Sequence, residues 1–155
     1  MAKLFYLSEI VKFAIEKEQE SYDLYQKLAA QVTDNNLKAI FQKLAQEEVK
    51  HKAYYSDILT STKQEQSPGV KEDDEYQAYM EALIASSRNA TELKIVDIKN
   101  ISNVLDYAIA REKDSVLFYS GLKNFVSPTI HNKIDEIIHE EERHAAILMQ
   151  VKEKI

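Results

Sequence analysis

Ala14-Ile15-Glu16-Lys17-Glu18-Gln19-Glu20-Ser21-Tyr22-Asp23-Leu24-Tyr25 recurs 94 residues later as Ala108-Ile109-Ala110-Arg111-Glu112-Lys113-Asp114-Ser115-Val116-Leu117-Phe118-Tyr119, with Ala, Ile, Glu, Ser and Tyr retained at five of the twelve positions. A second pair follows in the same order, since Glu47-Glu48-Val49-Lys50-His51 lines up with Glu140-Glu141-Glu142-Arg143-His144 at an offset of 93. Two copies of one helical hairpin account for both matches. Apolar residues at spacings of three and four predict long helices over roughly 8–31, 35–62, 98–125 and 129–154. Thr33-Asp34-Asn35-Asn36 and Ser127-Pro128 punctuate the two hairpins, each offering an N-cap to the helix that follows, and Pro128 suits a first helical turn. Between the hairpins, 63–97 reads as a polar loop followed by a shorter crossover helix carrying Tyr76, Tyr79, Met80, Leu83 and Ile84.

Composition agrees with an all-helical chain. Among 155 residues there are only 2 Gly and 2 Pro, too few turn formers for a sheet-rich fold. The length suits one domain over 1–155. With no Cys, the chain has no disulfide, thiol nucleophile, iron–sulfur cluster or Cys-ligated zinc, so any metal rests on His, Asp and Glu. Its 20 Lys+Arg against 26 Asp+Glu give a net charge of −6, and without a basic cluster or Gly-rich phosphate loop no nucleic acid partner is expected. The short apolar runs, and the charge that follows Met1-Ala2-Lys3-Leu4-Phe5-Tyr6, predict a cytoplasmic protein with no membrane association.

The apolar stripes carry the chemistry, because each is broken near its middle by a carboxylate. They read Val11, Ala14, Glu18, Ser21, Tyr25, Leu28; Leu37, Phe41, Leu44, Glu48, His51, Tyr55, Ile58; Ile101, Leu105, Ala108, Glu112, Ser115, Tyr119, Leu122; and Ile130, Ile134, Ile137, Glu141, His144, Leu148, Val151. Burying an unpaired carboxylate costs several kcal/mol, so four on core faces require protonation or a shared positive charge. Glu18 and Glu48 lie symmetrically about residue 33, and Glu112 and Glu141 about 126–127. Each is thus about 15 residues, or roughly 22 Å of helix, from its turn. Four Glu and two His are expected in one layer. Glu48 with His51, and Glu141 with His144, are i,i+3 pairs able to converge on metal, and six such ligands suit two divalent ions. Carboxylate and imidazole without thiolate favour iron or manganese, with zinc a ready substitute.

Two Glu-x-x-His motifs, each preceded at 29 or 30 residues by a Glu on a core stripe, resemble the ferritin-like di-iron carboxylate family, and within it the rubrerythrin branch. The resemblance spans both hairpins and implies a ferritin-like four-helix bundle. It implies Glu18, Glu48, His51, Glu112, Glu141 and His144 as ligands of two iron ions, and Tyr25 and Tyr119 as tyrosines that hydrogen-bond ligand carboxylates or help move protons. It further implies a non-haem di-iron peroxidase or oxidase that reduces hydrogen peroxide or dioxygen. Two departures stand out. Ser115 occupies the position of an additional rubrerythrin Glu, removing the residue associated with redox-linked ligand exchange. Without Cys there is no rubredoxin domain, so electrons are expected from an external donor such as a separate rubredoxin. A homodimer is expected, and the long crossover would permit exchange of a hairpin. The competing readings are an iron-binding or storage protein with slow ferroxidase activity and a metal-free association bundle. His131 and His139 read as exposed or capping; Glu16, Glu20, Glu47, Glu140 and Glu142 read as solvated faces, with Glu140 or Glu142 able to contact a ligand from outside.

Overall fold

The computed structural model of the chain describes residues 7–62, 78–85 and 100–155. Four long helices dominate: α1 (Leu7–Gln31), α2 (Asn35–Thr62), α4 (Ile101–Leu122) and α5 (His131–Glu153), with α3 covering 78–85. The four expected long helices are all present. Asp34 ends the first joint by accepting hydrogen bonds through Oδ1 from the Asn36 and Leu37 amides at 2.8 and 3.0 Å, which satisfies donors the first turn of α2 leaves free. The second joint differs in detail from expectation. Ser127 and Pro128 start a separate 3-10 turn, Pro128–Ile130, and α5 begins only at His131. The third long helix likewise ends at Leu122 and tightens into a 3-10 turn over Lys123–Phe125, a common way for a helix to terminate without a glycine. Of the crossover, 78–85 is helical as expected, with Met80 and Ile84 buried; Tyr76 and the polar loop lie outside the described residues.

Among the four long helices, neighbours run antiparallel. Glu18 on α1 meets Tyr119 on α4 while Tyr25 meets Glu112, and His51 on α2 meets Glu140 on α5 while Glu47 meets His144. α2 and α4 therefore occupy one diagonal and point the same way, so the chain must travel the length of the bundle between them. This is the reason the crossover is long while both hairpin joints are short.

The core is divided in two. One cluster gathers Ile10, Val11 and Phe13 of α1, Tyr55 and Ile58 of α2, Met80 and Ile84 of α3, Phe118 and Leu122 of α4, and Ile134 and Ile137 of α5. The other gathers Leu24 and Leu28, Phe41 and Leu44, Val104 and Leu105, and Leu148 and Val151. Between them the helices bury Glu18, Ser21, Glu48, His51, Glu112, Ser115, Glu141 and His144. Two apolar slabs clamp one polar layer. Among the described residues no helix is long and apolar enough to cross a membrane.

Because Leu44 and Leu148 are 1% and 0% exposed in the second cluster, each substitution to Ala is expected to cost about 3 kcal/mol by chemical denaturation. Leu117→Ala, at a side chain 48% exposed, is expected to change stability by less than about 0.5 kcal/mol.

Candidate metal centre

Two sets of side chains converge in the polar layer: Glu18, Glu48, His51 and Glu141, and Glu48, Glu112, Glu141 and His144. Within each set one ligand atom from every residue lies within 4.8 Å of the others. Glu48 and Glu141 belong to both sets. All six inward residues of the stripes thus meet, and none is more than 3% exposed.

The orientation of each group follows from what holds its outer side. Tyr119 donates to Glu18 Oε1 at 2.5 Å, and Tyr25 donates to Glu112 Oε1. Each tyrosine reaches across to the other hairpin's Glu, so these bonds also tie α1 to α4. The imidazoles stand nearly parallel, 6.1 Å apart, with Nδ1 turned inward. His51 Nδ1 lies 2.7 Å from Glu141 Oε1, and His144 Nδ1 lies 2.8 Å from Glu48 Oε1, so each histidine faces the central carboxylate of the other hairpin. Their Nε2 atoms point outward, His144 to Glu47 Oε2 at 2.5 Å and His51 to Glu140 Oε2.

What remains unpaired describes the site. The buried polar side-chain atoms without a well-directed hydrogen bond include both oxygens of Glu48 and of Glu141, Oε2 of Glu18 and of Glu112, and Nδ1 of His51 and of His144. Buried polar groups are nearly always satisfied, and eight orphans in one layer is a large departure. All eight are metal-type donors. The pattern suits two divalent cations, with the central pair of glutamates offering two oxygens each and the outer pair one each. Two such ions also carry the four positive charges that four ionised carboxylates need.

Without that charge the layer must redistribute protons. Burial, then the negative charges of Glu141 and Glu18, push Glu48 well above the usual carboxylate range. Burial with the charges of Glu112 and Glu18 does the same to Glu141. Burial also opposes ionisation of Glu18 and Glu112, but the close approach of neighbouring Glu, His and Tyr groups outweighs it and holds both below the usual range. His51 is pushed up to about 11, since the close carboxylates of Glu141 and Glu18 overcome the effect of burial, and His144 is raised by Glu112 and Glu47 in the same way. The metal-free layer therefore favours protons on Glu48, Glu141 and the imidazoles, and negative charge on Glu18 and Glu112.

Several placements went unforeseen. Glu47 is not a solvated side chain: its carboxylate is 15% exposed and engages His144 and Arg143, the latter at 2.9 Å. Its alignment with Glu140 in the repeat is the signal that identifies it. Glu142 stays on the surface beside His139, and His131 meets the Val126 carbonyl at 3.3 Å. Lys17 and Arg111, equivalent in the repeat, lie off the apolar stripes yet are 2% and 6% exposed. They lie over Phe13 and Tyr107, and Arg111 donates to Glu20 at 3.2 Å and to the Lys17 carbonyl at 3.3 Å. Burial and the Arg111 charge lower Lys17 to about 8.

Because ligating atoms must shed their protons, divalent-metal binding at neutral pH is expected to release on the order of four protons, from Glu48, Glu141 and both imidazoles. Affinity should accordingly fall as pH falls. Calorimetry in buffers of different ionisation heat measures the count; pH-independent binding without proton release would contradict this protonation pattern.

Comparison with known proteins adds the lineage. The family model described as Rubrerythrin matches residues 3–101, more than half of the chain. A comparison with curated protein sequences finds no match. The fold is similar to the crystal structure of a Thermotoga maritima protein described as ferritin-like and diiron-carboxylate, with a TM-score of 0.65 and 22% identity over 99% of this chain and 98% of that one. The chain is therefore a ferritin-like helical bundle, and it belongs to the rubrerythrin family.

Proposed function

We propose that this protein is a di-iron oxidoreductase that reduces hydrogen peroxide, or dioxygen, with electrons from an external donor such as a separate rubredoxin. The observation that carries this reading is the set of eight unsatisfied donor atoms in one buried layer, of the kinds and number two metal ions take. In it, Glu18 and His51 would hold one ion and Glu112 and His144 the other, with Glu48 and Glu141, common to both sets, available to each. Bound there, two iron ions supply the redox chemistry. The protein supplies the rest. Apolar slabs on both sides keep bulk water from the layer, so that charge changes within it are felt strongly. Tyr25 and Tyr119 hold the outer carboxylates by one oxygen, leaving the other free to ligate, and burial keeps both phenols protonated as donors. From those positions they are also the nearest protein hydroxyls to hand a proton to Glu112 and Glu18.

Ligand variants test the assignment. Glu48→Ala or Glu141→Ala is expected to abolish loading of a second ferrous ion while leaving far-ultraviolet circular dichroism helical. Unchanged metal content in both would overturn it. The activity is tested by mixing the diferrous protein anaerobically with peroxide or air and following near-ultraviolet absorption. Faster oxidation by peroxide supports the peroxidase reading, whereas oxidation by air alone favours iron handling. Light scattering is expected to give twice the 17.9 kDa chain mass, and a many-subunit shell would favour storage.

A further inference from the structure

The two histidines share one outward arrangement but not one electrostatic environment. A metal bound at an inward Nδ1 requires the proton to sit on Nε2, and a carboxylate accepting that N–H fixes the tautomer and makes the imidazole a stronger donor. Glu140 does this for His51, and Glu47 for His144. Their own surroundings differ. Glu140 is 43% exposed and pairs with no Lys or Arg among the described residues. Glu47 uses the same oxygen, Oε2, to accept from His144 at 2.5 Å and from Arg143 at 2.9 Å. The repeat places a cation, Lys50, where Arg143 stands, but Lys50 is exposed and has no carboxylate partner within ion-pair distance among the described residues, so Glu140 carries no matching pair. Water around Glu140 screens its charge but leaves its bond to His51 intact. Arg143 instead competes for the oxygen His144 uses, and adds a positive charge on the side from which His144 faces the layer.

We infer that Glu140, Glu47 and Arg143 are positioning residues that make the two halves of the centre unequal, so that the half built on His51 takes its divalent ion first and more tightly than the half built on His144. This rests on the dimetal reading of the layer, though not on its peroxide chemistry. The effect runs through the imidazoles: Glu140 strengthens the donor it touches, and the Arg143–Glu47 pair weakens the other.

Cobalt(II) titration of the full chain tests the inference, with visible absorption reporting affinity and proton NMR reporting which imidazole N–H is shifted by the paramagnetic ion. Assignment comes from His51→Gln and His144→Gln. The His51 signal is expected by the first equivalent and the His144 signal between the first and second. Glu140→Gln should weaken the first step 10- to 100-fold, the scale of loss seen when such outer partners are removed. Arg143→Gln should strengthen the second step severalfold and leave the first unchanged. Both side chains are half-exposed, and the thermal midpoint of each metal-free variant checks that folding is intact. Simultaneous appearance of both signals, His144 appearing first, or an Arg143→Gln second step no tighter than that of the parent would overturn the inequality. Absence of cobalt from the layer would overturn the dimetal reading with it, whereas stepwise cobalt binding in a protein whose iron form ignores peroxide would overturn only the proposed activity.

Discussion

Four carboxylates share one buried layer, and everything else in the bundle accommodates their mutual repulsion and loss of hydration. Separately, each would cost several kcal/mol to bury, and together they raise one another's proton affinity. The protein does not relieve this by opening the layer to solvent: Glu48 and Glu141 are both fully buried. It places two imidazoles face to face across the layer and two phenols at its edge, enough to hold the shape while leaving the innermost donor atoms unpaired. Such a site holds destabilisation that a pair of cations would relieve, and binding energy there would become folding energy.

Antiparallel pairing on every side is what makes the layer coincide. A Glu midway along each of four helices comes to one level only if the hairpin arms are equal in length and the two hairpins meet head to tail. The cross-ties confirm that alignment, because Tyr119 with Glu18 and Tyr25 with Glu112 are related by the same approximate two-fold axis as Glu47 with His144 and Glu140 with His51. The repeat thus appears three times over: in the residues, in the helical hairpins and in the buried polar layer. Its departures are as informative as its agreements. Tyr55 on the first hairpin has Leu148 as its counterpart, and Lys50 has Arg143, which alone of the two pairs with a carboxylate among the described residues, so neither the apolar walls nor the outer ion pairing is the same in the two halves.

The long helices and the six inward polar residues could be read from the sequence because both depend on periodicity within a single helix. A Glu or His on an otherwise apolar stripe is conspicuous, and its distance from the turn is fixed by counting. Features that depend on neighbouring helices were harder to see. Glu47 lies off the stripe of α2 and is engaged only because His144 and Arg143 of α5 approach it; Lys17 and Arg111 are covered by the packing of α1 against α4. The start of α5 was misplaced by a different route, since Ser127 and Pro128 satisfy the usual signals for a helix start but open a single 3-10 turn first.

Family membership and a shared fold fix the scaffold without fixing its chemistry, for ferritin-like bundles serve more than one purpose. The chemistry of this bundle therefore rests on whether the layer itself holds two ions. Anomalous X-ray diffraction from crystals grown with ferrous iron under anaerobic conditions tests it most directly. Two iron peaks are predicted between the apolar slabs, one against Glu18 and His51 and the other against Glu112 and His144, with Glu48 and Glu141 between them. A single peak, or iron bound only at surface carboxylates, would contradict it.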